Sequence, residues 1–273
     1  MEPIDQYIFR SSEIFLTHNN TVPAEIPAKF RDSVIDSLDM VLAGRPARAV
    51  LLQETQPKSA VVSSSVSGPP HQADEDGVWM RLRAVLASDD PACRALVSPA
   101  SRALGLLNWH HSTRFCSRCG TPLSAHPSEI ALRCESCSSV YFPRISPAII
   151  VLVHKGNDVL LARHANRNQD VWACLAGFLE HGETLEECVA REVYEETGVR
   201  IRNARYAGSQ SWPYPDQHMV AFHAEWDSGE IRVDPAEISE ARWFPWNDLP
   251  AHPQQGTVAW NLIHGIFPQQ FKK

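Results

Sequence analysis

Residues 177–199 read GFLEHGETLEECVAREVYEETGV. Thr184, followed three positions later by Glu187, has the pattern of a capping box and predicts a helix opening just after it. Gly198 stands where that helix would close in a left-handed cap. Leu185, Cys188, Val189 and Val193 recur every three or four residues and supply an apolar face to bury. Glu192, Glu195 and Glu196 are spaced i, i+3 and i+4, so their carboxylates converge on one side of the helix. Like charges at that spacing repel. A solvated acidic face is one reading, and a cation held among the three is the other. All-oxygen ligands suit Mg²⁺ and Mn²⁺, which keep part of their water when bound. Arg191 beside them is placed to orient a carboxylate through a bidentate contact.

Written as G-x5-E-x7-R-E-U-x-E-E-x-G-U, with U aliphatic, the stretch fits at Gly177, Glu183, Arg191, Glu192, Val193, Glu195, Glu196, Gly198 and Val199. Average residue usage puts a chance match to the fixed letters at on the order of once in 10⁸ windows. The stretch resembles the Nudix box, the strand-loop-helix-loop motif of hydrolases that split a nucleoside diphosphate linked to another group. The resemblance implies an enzyme in which Glu192, Glu195 and Glu196 hold Mg²⁺ or Mn²⁺. It implies that the backbone at Ala176 and Gly177 approaches a metal, and that Glu183 and Arg191 shape the loop. Glu237 lies downstream where the family places another acidic metal ligand or base.

Working outward, the chain has 273 residues, 44% of them hydrophobic and 21% charged, enough for one large domain or two ordinary ones. The longest purely apolar run, residues 148–153, is far too short to span a membrane. No basic segment leads into an apolar one at the N-terminus, so a cytoplasmic protein is expected. A net charge of −7 argues against tight non-specific binding to nucleic-acid backbone.

Seven cysteines are present, and their spacing is informative. Cys116-x-x-Cys119 and Cys134-x-x-Cys137 are two knuckles separated by fourteen residues. This spacing predicts a tetrahedral zinc site of the ribbon type, with Gly120 in the tight turn after the first knuckle. Four protein ligands close the coordination sphere, so the Zn²⁺ is expected to be structural. A thiol–disulfide pair is the alternative for an isolated CxxC. Cys93, Cys174 and Cys188 read as small core residues.

The first hundred residues carry no catalytic constellation. Residues 7–16 and 49–53 suggest strands, and 33–43 suggest a strand or short helix. Residues 54–77, rich in Ser, Pro and acidic side chains, read as a long loop. From 79 to 109 apolar residues recur at helical spacing, punctuated by Pro91 and Pro99. After the cysteines come a hairpin (148–154 and 159–163), a strand over 172–179, and the box. Further strands are expected at 201–212, 219–226, 231–233 and 240–245, with a closing helix at 257–266. The expected class is α+β: a small N-terminal α+β domain at 1–110 that packs or dimerises, a four-cysteine zinc ribbon at 111–142, and a Nudix α/β/α sandwich at 143–273.

One more stretch narrows the substrate. Residues 209–217 read SQSWPYPDQ. They are similar to SQPWPFPxS, the signature of the NADH pyrophosphatase subfamily. Ser209, Gln210, Trp212, Pro213 and Pro215 are identical, Tyr214 fills the aromatic slot, and Ser211 and Gln217 replace a proline and a serine. With the ribbon and the N-terminal domain, the resemblance implies hydrolysis of the NAD(H) pyrophosphate to nicotinamide mononucleotide and AMP, and removal of an NAD cap from RNA. A homodimer is implied by the same analogy. A Nudix hydrolase for another substrate, such as ADP-ribose, and a non-catalytic nucleotide sensor are the competing readings.

Two flat rings bridged by a pyrophosphate need stacking surfaces worth roughly 1–3 kcal/mol each. Phe178, Trp212 and Tyr214 are the candidates. The resemblance extends the substrate site along Gln210, Ser211, Pro213, Pro215, Asp216 and Gln217, and adds Phe142, Glu129 and Ala259, partly across a dimer. Arg114, Arg118, Arg133 and Arg144 around the ribbon are the candidates for contact with an RNA chain.

Overall fold

The computed structural model describes residues 4–42, 44–53, 71–166 and 170–265. They form two compact units. Residues 4–53 and 71–145 with Trp212–Asp216 make the first, and Ser146–Ser211 with residues 217–265 make the second.

In the first unit the apolar run over 7–16 is two strands, not one. β1 (Asp5–Arg10) turns at Ser11, φ 53°, into β2 (Glu13–Leu16). The polar pair Ser11-Ser12 between the two buried runs makes the turn. Residues 33–43 resolve as strand β3 (Val34–Leu42), paired antiparallel with β4 (Arg45–Leu52). Within the stretch expected as a loop, residues 54–70 lie outside the described residues. The remainder is instead β5 (His71–Asp74) and the start of β6 (Gly77–Arg81). The sheet order is β3-β4-β1-β2-β6-β5.

Trp79, expected in a helix, lies in β6. It is 3% exposed and sits against the rings of Phe15 and Phe30, 5.3 and 5.5 Å away. Aromatic packing on a pleated surface overrides the local helical spacing. Two helices follow, α1 (Leu82–Ala87) and α2 (Pro91–Ser112). Asp90 caps α2 by accepting from the Ala92 amide at 2.9 Å. Pro99 does not end α2, which continues through it to Ser112. The lost hydrogen bond is offset by burial of Cys93, Ala100, Ala103, Leu104 and Leu107 in the core of this unit. The ribbon is a small antiparallel sheet of β7 (Ser124–Ala125), β8 (Leu132–Arg133) and β9 (Val140–Tyr141).

The second unit is built on β10 (Ser146–Lys155) and β11 (Asp158–His164), the expected hairpin. β12 (Leu175–Phe178) pairs antiparallel with β10 and is shorter than the predicted 172–179, because Ala173 makes only an isolated bridge to Ala162. Helix α3 (Leu185–Thr197) carries the glutamates. β13 (Arg200–Trp212), β14 (Gln217–Ser228) and β15 (Ile238–Pro245) complete the sheet, in the order β13-β14-β10-β11-β15. Residues 231–233 are not a strand. Backbone bonds tie the segment and the residue after it to the end of α3: Arg232 N donates to Thr197 O and Asp234 N to Glu196 O. The closing helix is α4 (Val258–Ile263), and Ile266 lies outside the described residues.

β10 pairs parallel with β14 from Ser146↔Gln217 to His154↔Glu225. Ile149, Val151 and Val153 turn into the core shared with Cys188, Val189 and Val193 of α3. Ala148, Ile150 and Leu152, on the alternate face, are buried as well, and α4 packs against β10 and β14. Strands covered on both faces read as continuous apolar runs, which is why residues 148–153 are the longest apolar run of the sequence. The class is α+β, as expected.

Candidate active site and zinc centre

α3 begins as its sequence predicts. Thr184 accepts from the Glu187 amide at 3.2 Å, and Glu187 accepts from the Thr184 amide at 2.7 Å. Gly198 closes the helix at φ 71°, donating to Tyr194 O at 2.7 Å. These two ends set the rotation of the helix. Cys188, Val189 and Val193 face inward, and Glu192 and Glu196 emerge at the margin of the core, 9% and 3% exposed. Glu195, one step round, remains exposed.

Arg191 ties the box together. Its Nε and Nη2 donate to the two oxygens of Glu183 at 2.5 and 3.1 Å, and Nη2 also donates to Phe178 O at 2.9 Å. Its Nη1 donates to Glu192 at 2.9 Å and to Glu195 at 3.0 Å. Glu183 in turn accepts from the Glu180 amide at 3.0 Å, which fixes the loop before the helix. The guanidinium, helped by that amide, holds the Glu183 carboxyl down at about 2. Glu192 moves the other way. Burial raises it above the usual carboxylate range against the pull of Arg191, and the charges of Glu195 and Glu237 add to the rise. Glu237 is therefore electrostatically part of this cluster, although it is itself exposed.

The backbone of β12 faces the same group. A Cβ placed on Gly177 would lie 1.8 Å from Cδ of Glu192 and 2.0 and 2.2 Å from its oxygens. Only glycine lets that carboxylate lie against the strand. Ala176 precedes it, paired with Ile150 of β10, and Phe178 follows with half its surface exposed. The set of donors is oxygen only, beside a backbone position where a side chain has no room, and this fits a hard divalent cation.

Of the substrate-site candidates, Gln210, Ser211, Gln217, Phe178 and Ala259 belong to the second unit with the glutamates. Glu129, Phe142 and Trp212–Asp216 belong to the first. Glu129 and Phe142 are exposed. Tyr214 packs against the core of the first unit, and burial pushes its hydroxyl up to about 12. Trp212 and Tyr214 meet edge to face at 5.2 Å, and the Arg83 guanidinium lies 4.9 Å from each ring. Asn108 donates to Pro213 O and Pro215 O at 3.4 and 3.2 Å, and Arg144 Nε donates to Asp216 at 2.9 Å. Nothing in the local sequence around Arg83 or Asn108 marks them as the holders of this loop, because the contacts join residues more than a hundred positions apart.

The four knuckle cysteines converge. Their sulfurs lie within 4.8 Å of one another, with Cys116–Cys137 at 3.5 Å, Cys119–Cys134 at 3.4 Å and Cys119–Cys137 at 3.6 Å. A tetrahedron with arms of about 2.3 Å has edges of about 3.8 Å. A disulfide would need about 2 Å. The two knuckles share one backbone design. Gly120 N donates to Cys116 O and Ser138 N to Cys134 O, with φ 73° and 60° at the donors. Ser138 is a residue the spacing argument overlooked. Tyr141 Oη lies 3.1 Å from Cys116 Sγ and lowers that thiol to about 6, favouring the thiolate a zinc ion binds. Among the described residues no other set of three or more His, Cys, Asp or Glu draws its ligand atoms this close. Glu183, Glu192 and Glu195 of the box are ranged around Arg191 instead.

The sequence matches the NUDIX domain family over residues 143–264 and the NADH pyrophosphatase zinc ribbon domain family over residues 111–142. A Chromobacterium violaceum protein named NAD-capped RNA hydrolase NudC is 46% identical over 198 residues, which is 72% of each chain. A Salmonella heidelberg protein of the same name is 48% identical over 164 residues, covering 60% of this chain and 64% of that one. A crystal structure of a Nudix hydrolase from Nitrosomonas europaea matches at 28% identity and TM-score 0.44, covering 50% of this chain and 83% of that chain. Box, ribbon and relatives agree, and the chain belongs to the Nudix hydrolases that carry the NADH pyrophosphatase zinc ribbon.

Proposed function

We propose that this protein hydrolyses the pyrophosphate bond of NAD(H), giving nicotinamide mononucleotide and AMP, and removes the same dinucleotide from the 5′ ends of NAD-capped RNA. The observation that carries this reading is the packing of Glu192 against Gly177, on the helix face shared with Glu195 and Glu196, in a chain that also has the SQSWPYP stretch. The relatives named NAD-capped RNA hydrolase support the substrate class.

Glu192, Glu195, Glu196, Glu237 and the Ala176 carbonyl would hold Mg²⁺ or Mn²⁺. When bound, the ion neutralises pyrophosphate charge and lowers the pKa of a coordinated water. Arg191 and Glu183 hold the loop between β12 and α3 rigid, so the glutamates and the 176–177 backbone keep one geometry. Phe178, exposed beside that backbone, offers a ring face to a base. Water adds across the P–O–P bridge in line: its oxygen bonds to one phosphorus as the other phosphate leaves, so no side chain acts as nucleophile. By the same resemblance Ala259 extends the pocket, and the protein works as a homodimer in the cytoplasm. The division into 1–110, 111–142 and 143–273 follows the same analogy.

Chromatographic product analysis tests the substrate. The protein is incubated with NADH, NAD⁺, ADP-ribose and NAD-capped RNA, with Mg²⁺, Mn²⁺ or chelator. Metal-dependent release of AMP and nicotinamide mononucleotide from the dinucleotides is expected. Cleavage of ADP-ribose alone would mean that Ser211 and Gln217 have changed the specificity of the loop.

A further inference from the structure

Gln210, within the SQSWPYP stretch, is committed to the backbone of a segment nearly fifty residues downstream. Its Nε2 donates to Gly256 O at 2.8 Å, and its Oε1 accepts from Val258 N at 2.8 Å. Val258 is the first residue of α4, and Gly256 is the turn before it, at φ 82°. One carboxamide therefore grips both sides of the helix start, next to the Thr257 cap whose Oγ1 accepts from Trp260 N at 3.3 Å. Ala259 follows directly, 6% exposed, on a helix packed against β10 and β14. A six-residue helix has little stability of its own, so its placement depends on such ties.

We propose that Gln210 is a positioning residue: its carboxamide sets the start of α4 and, through it, the Ala259 wall of the substrate pocket. The inference deepens the dinucleotide reading and rests on it. With one Nε2 hydrogen and one Oε1 lone pair committed to backbone, the carboxamide is fixed in place, and Gln210 acts on substrate through α4. Its side chain holds binding geometry and leaves the Glu192–Glu196 face untouched, so KM is the constant it controls.

The test uses the full-length protein, with Gln210→Ala and the volume-conserving Gln210→Glu, which sets a carboxylate oxygen against Gly256 O. Hydrogen exchange of residues 256–263 is expected to quicken about tenfold in both: Gln210→Ala loses two hydrogen bonds, and Gln210→Glu loses the one to Gly256 O and sets a negative oxygen against it. KM for NADH is expected to rise about tenfold, with kcat within about twofold. Thr257→Ala loosens the same helix start without touching Gln210. The double variant should raise KM by less than the product of the single effects. Unchanged exchange, an equal fall in kcat, or multiplying KM effects would overturn the proposal, the last by showing direct substrate contact. If the wild-type protein cleaves no dinucleotide, the functional reading fails by itself, while the exchange result still decides whether Gln210 holds α4.

Discussion

Gly177 shows how geometry can demand a single hydrogen atom in place of a side chain. The Glu192 carboxylate occupies the space where a Cβ would stand, so Gly177→Ala must push that carboxylate away from the β12 backbone. Displacement by an ångström or more at a reacting centre costs about 100-fold in rate. The expected result is a loss of that order in kcat with little change in melting temperature, measured by steady-state kinetics and thermal unfolding. Glu192 and Gly177 stand in the sequence as letters of one motif, but their contact was not legible there, since spacing says nothing of how a strand and a helix face meet. Tyr214 was less legible. Its motif suggested a stacking surface, and the structure spends its ring on the core of the first unit and on Arg83. An aromatic side chain in a loop reads the same way whether it faces ligand or core.

At the scale of elements, α3 was readable because its signals are local: cap, apolar spacing and closing glycine all fall within one stretch. Thr184→Ala removes an acceptor for the Glu187 amide and should cost about 1 kcal/mol, checked by denaturant unfolding. β6 and α2 were harder. Trp79 became strand through packing on Phe15 and Phe30, and α2 ran through Pro99 because its buried face outweighs one lost hydrogen bond. Both outcomes depend on partners distant in sequence.

The β10–β14 pair carries a pH dependence that no motif announces. His154 Nε2 and His223 Nδ1 lie 2.8 Å apart, with Trp246 stacked on His154 at 5.3 Å. Burial depresses both imidazoles, His223 to about 4. A base depressed in the folded state is protonated first in the unfolded chain, so the folded state loses stability as pH falls from about 6.5 towards 4. The urea midpoint of the wild type should fall across that window by more than that of His223→Gln.

At the scale of the molecule, the ribbon and the sandwich were recognisable from cysteine spacing and the box. The sheet of the first unit was only partly so, because its strands pair out of sequence order. Zinc is expected to hold the ribbon as folding energy. Replacing the buried ligand Cys134 with Ser should abolish zinc binding, read by metal analysis, and speed hydrogen exchange across residues 111–142. The catalytic claim concerns a different set of residues, and Glu196→Gln isolates it: the change keeps shape and removes one charge from the helix face. The decisive measurement is chromatography of NADH incubated with Mn²⁺ or Mg²⁺ and either the wild-type or the Glu196→Gln protein. The wild type should yield reduced nicotinamide mononucleotide and AMP, and the variant should yield neither. Equal product from both would contradict the assignment of the glutamates as the metal-holding, catalytic centre.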